Sequence, residues 1–249
     1  MIDPNNLLKA LRKLDTAAIC DADKTLLAQN DPASTTGGTY PGIKLMNGNL
    51  RLINDHYKDK ETNHNATIAG FARTVQCAQR NDFLAVLRGL MDAQKDEVLV
   101  VDTCNSDLAV AGELFSLTAT QVGMQGLVID GPVRDTVFVQ DMHDIKVFAT
   151  SITPYSGTIQ SPGKIQVPVN CGGILVEPGE VVVGDRDGIV VASPEMFGAL
   201  LPQAQKIHQL EAKIKERLLE GTTLESMTNA KEHIEARLAG KPSSLEFKV

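Results

Sequence analysis

Acidic and basic side chains stand side by side directly after an apolar segment near the middle of the chain. Residues 126–129 read Gly-Leu-Val-Ile, and residues 130–135 that follow read Asp-Gly-Pro-Val-Arg-Asp. A carboxylate can bind a hard divalent cation, and a guanidinium can bind a carboxylate through two parallel hydrogen bonds. The segment could therefore hold a metal ion and an anionic substrate together. The same residues could instead form a turn with a local ion pair, or an aspartate cap on the next helix.

The flanking apolar runs predict the elements that would position these groups. Residues 98–101 and 126–129 are short and apolar, as in strands covered on both faces, and residues 112–122 between them can form a helix. The order strand, helix, strand predicts a crossover between parallel strands. Because such sheets bind ligands beyond the carboxyl ends of their strands, we expect the site in the loops at 102–111 and 130–135.

Helices are predicted at both ends of the chain, with a β-rich region at 167–192 that closes the same core. A helix starting at Asp15 or Thr16 turns Ala18, Ile19 and Ala22 inward and places Asp21 and Asp23 on other faces. A long helix follows Pro194, and a second helix is predicted at 224–238. The long helix carries one apolar residue per turn, in a stripe that we expect to cover a neighbouring subunit as well as its own core: Ile207, Leu210, Ile214 and Leu218.

Composition excludes several classes of protein. The chain has 249 residues and a formal net charge of −7, the wrong sign for a nucleic-acid partner. No apolar segment approaches the length of a membrane span, and the cysteines, Cys20, Cys77, Cys104 and Cys171, are far apart. Free thiols in a reducing compartment, and hence a cytoplasmic protein, are expected. The histidines have no spacing typical of a metal site: His56, His64, His143, His208 and His233.

Residues 126–135 resemble the signature of the RraA-like family, which includes 4-hydroxy-4-methyl-2-oxoglutarate aldolases and oxaloacetate decarboxylases. Residues 18–22, 111–114 and 168–192 resemble further segments of that family. The resemblance implies an α/β fold, a layered αββα sandwich of the RraA-like (swivelling β/β/α) type. It also implies that residues 1–249 form a single RraA-like domain, with a core at about 16–192 and a C-terminal helical extension at about 193–249.

The resemblance implies a role for each residue of the site. Asp135 would be the direct protein ligand of Mg²⁺ or Mn²⁺, with water at most other positions, and Arg134 would bind the oxo acid. Glu113 would order metal-bound water, so that Arg134, Glu113 and Asp135 form the catalytic group. Backbone amides of four consecutive residues would cradle the pyruvyl carboxylate: Gly112, Glu113, Leu114 and Phe115.

Assembly also follows from the resemblance, which implies a homotrimer or a hexamer built from trimers. Glu211 matches a glutamate that reaches the metal-bound waters of a neighbouring subunit. An exposed i,i+4 pair between Glu211 and Lys215 is an equally good interpretation of the sequence.

The implied function is a metal-dependent lyase that cleaves a 4-hydroxy-2-oxo diacid to pyruvate and also decarboxylates oxaloacetate. A first alternative is a non-catalytic regulator that binds a ribonuclease, as some family members do. A second is a lyase for a sugar-acid-derived substrate, because Phe115 and residues 103–107 depart from the usual pattern of the family aldolases. Other polar residues are interpreted without a catalytic role. Asp185 and Asp187 indicate a tight turn, and Cys104 is interpreted as a thiol that takes no part in the reaction.

Overall fold

A mixed central sheet with helices packed on it forms the body of the protein, and the computed structural model describes residues 3–30, 42–54 and 67–248. The helices are α1 (Pro4–Leu11), α2 (Thr16–Asn30), α3 (Leu84–Met91), α4 (Glu113–Val122), α5 (Thr136–Val139), α6 (Pro194–Leu219) and α7 (Ala230–Leu238). The strands are β1 (Lys44–Leu45), β2 (Arg51–Leu52), β3 (Ile68–Gln76), β4 (Glu97–Asp102), β5 (Gly126–Val133), β6 (Lys146–Ile152), β7 (Lys164–Ile165), β8 (Val169–Cys171), β9 (Ile174–Val176), β10 (Val181–Gly184) and β11 (Ile189–Ala192).

Strands β3 to β6 form the parallel centre of the sheet. Among the described residues, nine strands join in the order β1-β11-β10-β3-β4-β5-β6-β2 with β7 paired to β3, and β8 and β9 form a separate hairpin. The outer strands are antiparallel to their neighbours. The predicted crossover is confirmed, because β4 and β5 are parallel neighbours and α4 lies between them in the chain.

Alternate residues of the central strands face different layers. Leu99 and Leu127 lie in one buried cluster with residues of α3, α4 and α5. Val98 and Val128 lie in another cluster with residues of the β8–β9 hairpin. Helices α1, α2 and α6 cover the part of the sheet formed by β3, β10 and β11. The protein is therefore an α/β fold with a central sheet, as the sequence predicts.

Two expectations about the helices are wrong. Asp23, predicted on a face away from the core, is only 2% exposed. Helix α2 packs on the sheet and also contacts α6, so a wider arc of its surface is buried than one apolar stripe indicates. The helix predicted at 224–238 begins only at Ala230, because residues 224–227 form turns and Thr228 pairs with Phe247.

The C-terminal extension starts as a core helix and ends as a surface helix. Ser193 caps α6 by accepting a 3.3 Å hydrogen bond from the amide of Met196. Phe197 is fully buried, whereas the predicted stripe is buried only at Ile214, and Leu218 is 41% exposed. None of the helices in the described ranges has the length and apolar character needed to cross a membrane. The division into one core and one extension stays a prediction.

Candidate functional site

A small cavity lies beyond the carboxyl ends of β4 and β5, where the sequence predicts the site. Asp102 and Asp130 are register partners near these strand ends. The cavity encloses about 170 Å³, and the polar side chains of its lining belong to Arg134, Asp135 and Ser156. The rest of the lining described here is apolar side chain or backbone: Phe83, Leu114, Phe115 and residues 109–112.

Asp135 occupies the corner between β5 and α5. Its backbone is left-handed (φ 57°, ψ 33°), a conformation that aspartate and asparagine adopt more readily than most residues. Its side chain is 36% exposed, and its Oδ2 atom lies 3.4 Å from Nε of Arg134. Oδ2 also accepts a 3.4 Å hydrogen bond from the amide of Glu113, and no described residue bonds to Oδ1. The carboxylate is thus loosely held and open to a cation.

A bulge in β5 bends the strand that leads to Asp135. The pairing of β5 with β6 shifts in register between Ile129 and Pro132, which bends a strand locally. Strand β5 therefore extends to Val133, and residues predicted as loop lie within it. Inside the bulge, the carboxylate of Asp130 accepts a 2.8 Å hydrogen bond from the amide of Gly172. Asp130 thus fixes the β8–β9 hairpin, and it does not line the cavity.

The N-terminus of α4 faces Asp135. A Cβ atom on Gly112, the residue before the helix, would lie 2.5 Å from Oδ2 of Asp135, so this close approach requires glycine. The amide of Glu113 points at the same oxygen, at the positive end of the helix dipole. Gly112, Leu114 and Phe115 line the cavity, whereas the Glu113 side chain does not.

An aromatic pair forms a wall that the sequence did not indicate. The rings of Phe83 and Phe115 meet edge to face, with centroids 5.8 Å apart and an interplanar angle of 69°. The sequence gives no signal that Phe83, before α3, would meet Phe115 at the start of α4.

Asp82 ties the loop that carries Ser156 to the start of α3. Its buried carboxylate accepts hydrogen bonds from the amides of Leu84 (3.1 Å) and Gln160 (2.8 Å) and from the hydroxyl of Thr158 (3.0 Å). Burial alone would raise the pKa of Asp82, but these hydrogen bonds stabilise the charged form and bring the pKa below its ordinary value. An aspartate just before an apolar helical stripe is the signal by which the sequence could have indicated that Asp82 bonds to the start of α3.

The segment at 103–107 is held by hydrogen bonds to neighbouring backbone and does not line the cavity. The hydroxyl of Thr103 donates to the carbonyl of Asp130 at 2.6 Å, and the hydroxyl of Ser106 donates to the carbonyl of Leu108 at 2.6 Å. Cys104 is an exposed free thiol with a left-handed backbone. The hydroxyl groups in this segment are therefore engaged in holding the loop.

Glu211 lies on α6, outside the cavity lining. Burial raises the pKa of its carboxyl group, and repulsion from Asp15 and Asp21 on the facing segment adds to the shift, while His208 opposes it. The alternative pair with Lys215 is not formed among the described residues. Within one chain, Glu211 is therefore not brought together with Arg134 and Asp135.

The described part of the chain contains no group of three or more His, Cys, Asp or Glu side chains placed to hold a metal ion. His56 and His64 lie outside the described residues. Asp135 is the carboxylate that lines the cavity, and one of its oxygens has no described protein partner. These features suit a cation with one protein ligand and water in its other positions.

Comparison with known proteins relates the chain to one family. The family model described as RraA-like, Aldolase/RraA, matches residues 16–191. An uncharacterized protein of Methanocaldococcus jannaschii is 37% identical over 192 residues, which cover 76% of this chain and 86% of that protein. A Halalkalibacterium halodurans protein that carries the name of a 4-hydroxy-4-methyl-2-oxoglutarate aldolase is 33% identical over 161 residues, which cover 64% of this chain and 75% of that protein.

A solved structure has the same fold. Streptomyces coelicolor RraAS2, described as an unusual member of the RNase ES inhibitor RraA protein family, matches with a TM-score of 0.63 and 25% identity. The match covers 84% of this chain and 96% of that one. The names of these relatives thus include both an enzyme and a regulator of an enzyme.

Proposed function

Because the chain belongs to the RraA-like family, we propose that it is a carbon–carbon lyase that depends on Mg²⁺ or Mn²⁺ and releases pyruvate. Its substrates are 4-hydroxy-2-oxo acids, the class that includes 4-hydroxy-4-methyl-2-oxoglutarate, and it also decarboxylates oxaloacetate. The observation that carries the proposal is the accessible Arg134–Asp135 pair in a cavity at the carboxyl ends of β4 and β5. The Halalkalibacterium relative named as an aldolase supports the same reaction class.

The residues of the cavity have separate tasks in this reaction. Asp135 would hold the cation, which when bound withdraws electron density from the 2-oxo group and so stabilises the charge that develops as the bond breaks. Arg134 binds the substrate carboxylate or the developing oxyanion through its guanidinium group. The amide of Glu113 fixes the Asp135 carboxylate, and the side chains of Glu113 and of Glu211 from a neighbouring subunit would contact water ligands of the cation.

A pyruvate-release assay tests this proposal. The wild-type protein is incubated with a panel of 4-hydroxy-2-oxo acids and with oxaloacetate, with added Mg²⁺ or Mn²⁺, before and after EDTA. We expect release that EDTA abolishes and fresh metal restores, and much slower release by Asp135→Asn. The absence of pyruvate from every member of the panel would overturn the proposal.

We further propose that the protein is a homo-oligomer, a trimer or a hexamer. The elements around the cavity expose large apolar side chains, including Leu114 (71%), Val137 (73%) and Tyr155 (74%). Apolar surface of this kind is typical of a protein interface. Subunit exchange between Glu211→Gln and Asp135→Ala should restore some activity if Glu211 acts on a neighbouring site. A monomer in light scattering would contradict the assembly.

A ribonuclease regulator is the second candidate function. It is favoured by the similarity to RraAS2, which is described as belonging to a family of RNase inhibitors. The apolar surface around the cavity could bind a partner protein. Capture of the nuclease on immobilised protein, with no pyruvate release from the panel, would favour this candidate over the lyase.

A lyase for a sugar acid is less well supported by the cavity. A polyhydroxylated chain needs several hydrogen-bond partners, whereas Ser156 is the hydroxyl in the described lining.

We also propose a reducing, cytoplasmic location for the protein. Its four free cysteines suit such a location.

A further inference from the structure

Two chain segments that line the cavity run side by side. Ala109 forms an isolated β-bridge with Ser156, and both residues belong to the lining. The amide of Ala109 donates a 2.8 Å hydrogen bond to the carbonyl of Tyr155, and the amide of Gly157 donates one of 3.2 Å to the carbonyl of Ala109. Residues 109–112 and Ser156 therefore form one surface of the cavity, which we call the loop wall.

The loop wall is also bonded to the segment that carries the polar pair of the cavity. The amide of Val110 donates a 3.1 Å hydrogen bond to the carbonyl of Pro132. The amide of Arg134 donates one of 3.1 Å to the carbonyl of Ala111. A displacement of the loop wall is therefore transmitted to the backbone of Arg134.

Asn81 holds the segment that leads into the loop wall. Its side-chain oxygen, Oδ1, accepts hydrogen bonds from the hydroxyl of Ser106 (3.1 Å) and from the amides of Asp107 (2.9 Å) and Leu108 (3.3 Å). Its backbone is left-handed (φ 62°), a conformation that asparagine adopts more readily than most residues. Since Leu108 directly precedes the loop wall, these bonds fix the position at which the loop wall begins.

The backbone of Asn81 holds the other half of the loop wall. Its carbonyl oxygen accepts hydrogen bonds from the amide of Thr158 at 2.7 Å and from the hydroxyl of Thr158 at 3.3 Å. A Cβ atom on Gly157 would lie 2.4 Å from the same oxygen, so only glycine fits there without a shift of the backbone. Asn81 does not line the cavity itself. One residue thus joins both halves of the loop wall from outside the cavity.

We propose that Asn81 is a positioning residue, which keeps the loop wall ordered so that Arg134 and Ser156 contact the substrate in fixed places. The proposal rests on the proposed lyase function and adds a residue to its site. Without Oδ1 of Asn81, the loop wall is ordered in only a fraction of the molecules. A substrate that binds only the ordered arrangement then has an apparent affinity lowered by that fraction. KM should therefore rise, whereas kcat of the saturated protein should not change.

Two replacements separate the side-chain oxygen from the backbone conformation. Asn81→Gly tolerates the left-handed backbone but removes Oδ1, whereas Asn81→Asp tolerates the same backbone and keeps an acceptor at that position. The substrates are 4-hydroxy-4-methyl-2-oxoglutarate and oxaloacetate, each with saturating Mg²⁺. We expect KM of Asn81→Gly to rise about tenfold and its kcat to stay within about twofold of the wild-type value. Asn81→Asp should keep both constants near the wild-type values.

Asn229→Gly is the matched control. The side-chain oxygen of Asn229 also accepts a hydrogen bond from a backbone amide, that of Glu246 at 2.7 Å, but Asn229 lies in the C-terminal extension and outside the cavity lining. A loss of folded protein lowers the apparent kcat and leaves KM unchanged, because unfolded molecules do not bind the substrate. Thermal melting of every variant measures that loss, and KM of Asn229→Gly should equal the wild-type value.

Amide hydrogen exchange, followed by NMR, gives a second measurement that needs neither substrate nor metal. The amides of Ala109, Gly157 and Arg134 each donate a hydrogen bond within the loop wall or to it. In Asn81→Gly, these amides should exchange about tenfold faster than in the wild-type protein, since the loop wall opens more often. In Asn81→Asp and Asn229→Gly, they should exchange at the wild-type rate.

The possible outcomes separate the proposal from the function on which it rests. An unchanged KM in folded Asn81→Gly overturns the proposal, and so does unchanged exchange at the amide of Arg134. A rise in KM that Asn81→Asp or Asn229→Gly shows equally also overturns it. Pyruvate release from neither substrate by the wild-type protein overturns the lyase function instead, and hydrogen exchange then still decides whether Asn81 orders the loop wall.

Discussion

The corner after β5 and the turn between β10 and β11 each place an aspartate beyond a strand, and the two carboxylates are held very differently. Asp185 in the β10–β11 turn is 7% exposed. It accepts hydrogen bonds from the amide and hydroxyl of Thr16, both at 2.7 Å, and from the amide of Asp187 at 2.9 Å. The side chain of Asp135 is 36% exposed and makes two polar contacts with described residues, both at 3.4 Å.

The difference separates a structural carboxylate from one that is available for chemistry. Short hydrogen bonds from Thr16 use both oxygens of Asp185 and join the turn to the start of α2. Long contacts leave the oxygens of Asp135 free to take a stronger partner, such as a cation. Mutations at the two positions should therefore affect different properties of the protein.

Removal of the Asp135 charge should have the largest effect. Asp135→Asn keeps a residue that tolerates the left-handed backbone but weakens the cation ligand, so we expect kcat/KM for pyruvate release to fall about 1,000-fold. The free energy of unfolding should change by less than about 0.5 kcal/mol, since the contacts that are lost are long and exposed. Steady-state kinetics and urea titration measure the two quantities. Near-normal turnover with unchanged metal dependence would contradict the assignment of Asp135.

Gly112→Ala should have the next largest effect, because the added Cβ would lie 2.5 Å from Oδ2 of Asp135 and must displace the carboxylate. We expect a loss of about 100-fold in kcat/KM together with a higher metal concentration at half-maximal activity. Gly198→Ala in α6 is the matched control, since its Cβ would have no neighbour within 4 Å. That variant should keep full activity. Equal metal requirements for both variants would exclude the positioning role of Gly112.

Asp185→Asn should change stability instead of catalysis. Replacing one oxygen by an amide group sets a donor against the donors of Thr16 or Asp187, and the free energy of unfolding should fall by about 2 kcal/mol. Below the melting temperature, kcat/KM per folded molecule should stay near the wild-type value. If folded Asp185→Asn lost as much activity as Asp135→Asn, the assignment of Asp185 to stability and of Asp135 to catalysis would be wrong.

Asp23 is buried, as Asp185 is, and one of its oxygens has no described partner, as for Asp135. Its replacement should have the smallest effect of the four. Its Oδ2 has no described hydrogen-bond partner, and burial raises the pKa of Asp23 above its ordinary value of 3.8, although the amide of Ile43 opposes the shift. The folded state thus favours the protonated acid. The contribution of Asp23 to the free energy of unfolding is fully present below its ordinary pKa of 3.8 and is lost as the pH rises through the raised pKa of the folded state.

Asp23→Asn, which is neutral at every pH, should therefore be more stable than the wild-type protein by about 1 kcal/mol at pH 7. The advantage should disappear toward pH 3.8 and below, where Asp23 is protonated in both states. Urea titrations of both proteins between pH 4 and pH 8 measure the difference. A difference that does not vary with pH would show that Asp23 does not titrate in this range.

The apolar runs of β4 and β5 predicted the crossover and hence the edge of the sheet where the cavity lies. The resemblance at residues 126–135 selected Arg134 and Asp135, which the structure places together. Asp23 was misplaced because helical periodicity assumes one buried face, and α2 has a wider one. The aromatic wall could not be predicted, because it depends on a long-range meeting of Phe83 and Phe115 that no local spacing records.

Asp82 has a consequence for how the cavity can open. Its carboxylate accepts hydrogen bonds from the amides of Leu84, Gln160 and Ser161. The loop and the first turn of α3 therefore form one cooperative unit of local unfolding, and their amide protons should exchange with solvent together. Since the amide of Phe83 donates a 2.8 Å hydrogen bond to the carbonyl of Thr158, Phe83 belongs to this unit, whereas its partner Phe115 belongs to α4. Entry of a substrate then depends on the side of the cavity formed by the start of α4 and by Arg134 and Asp135.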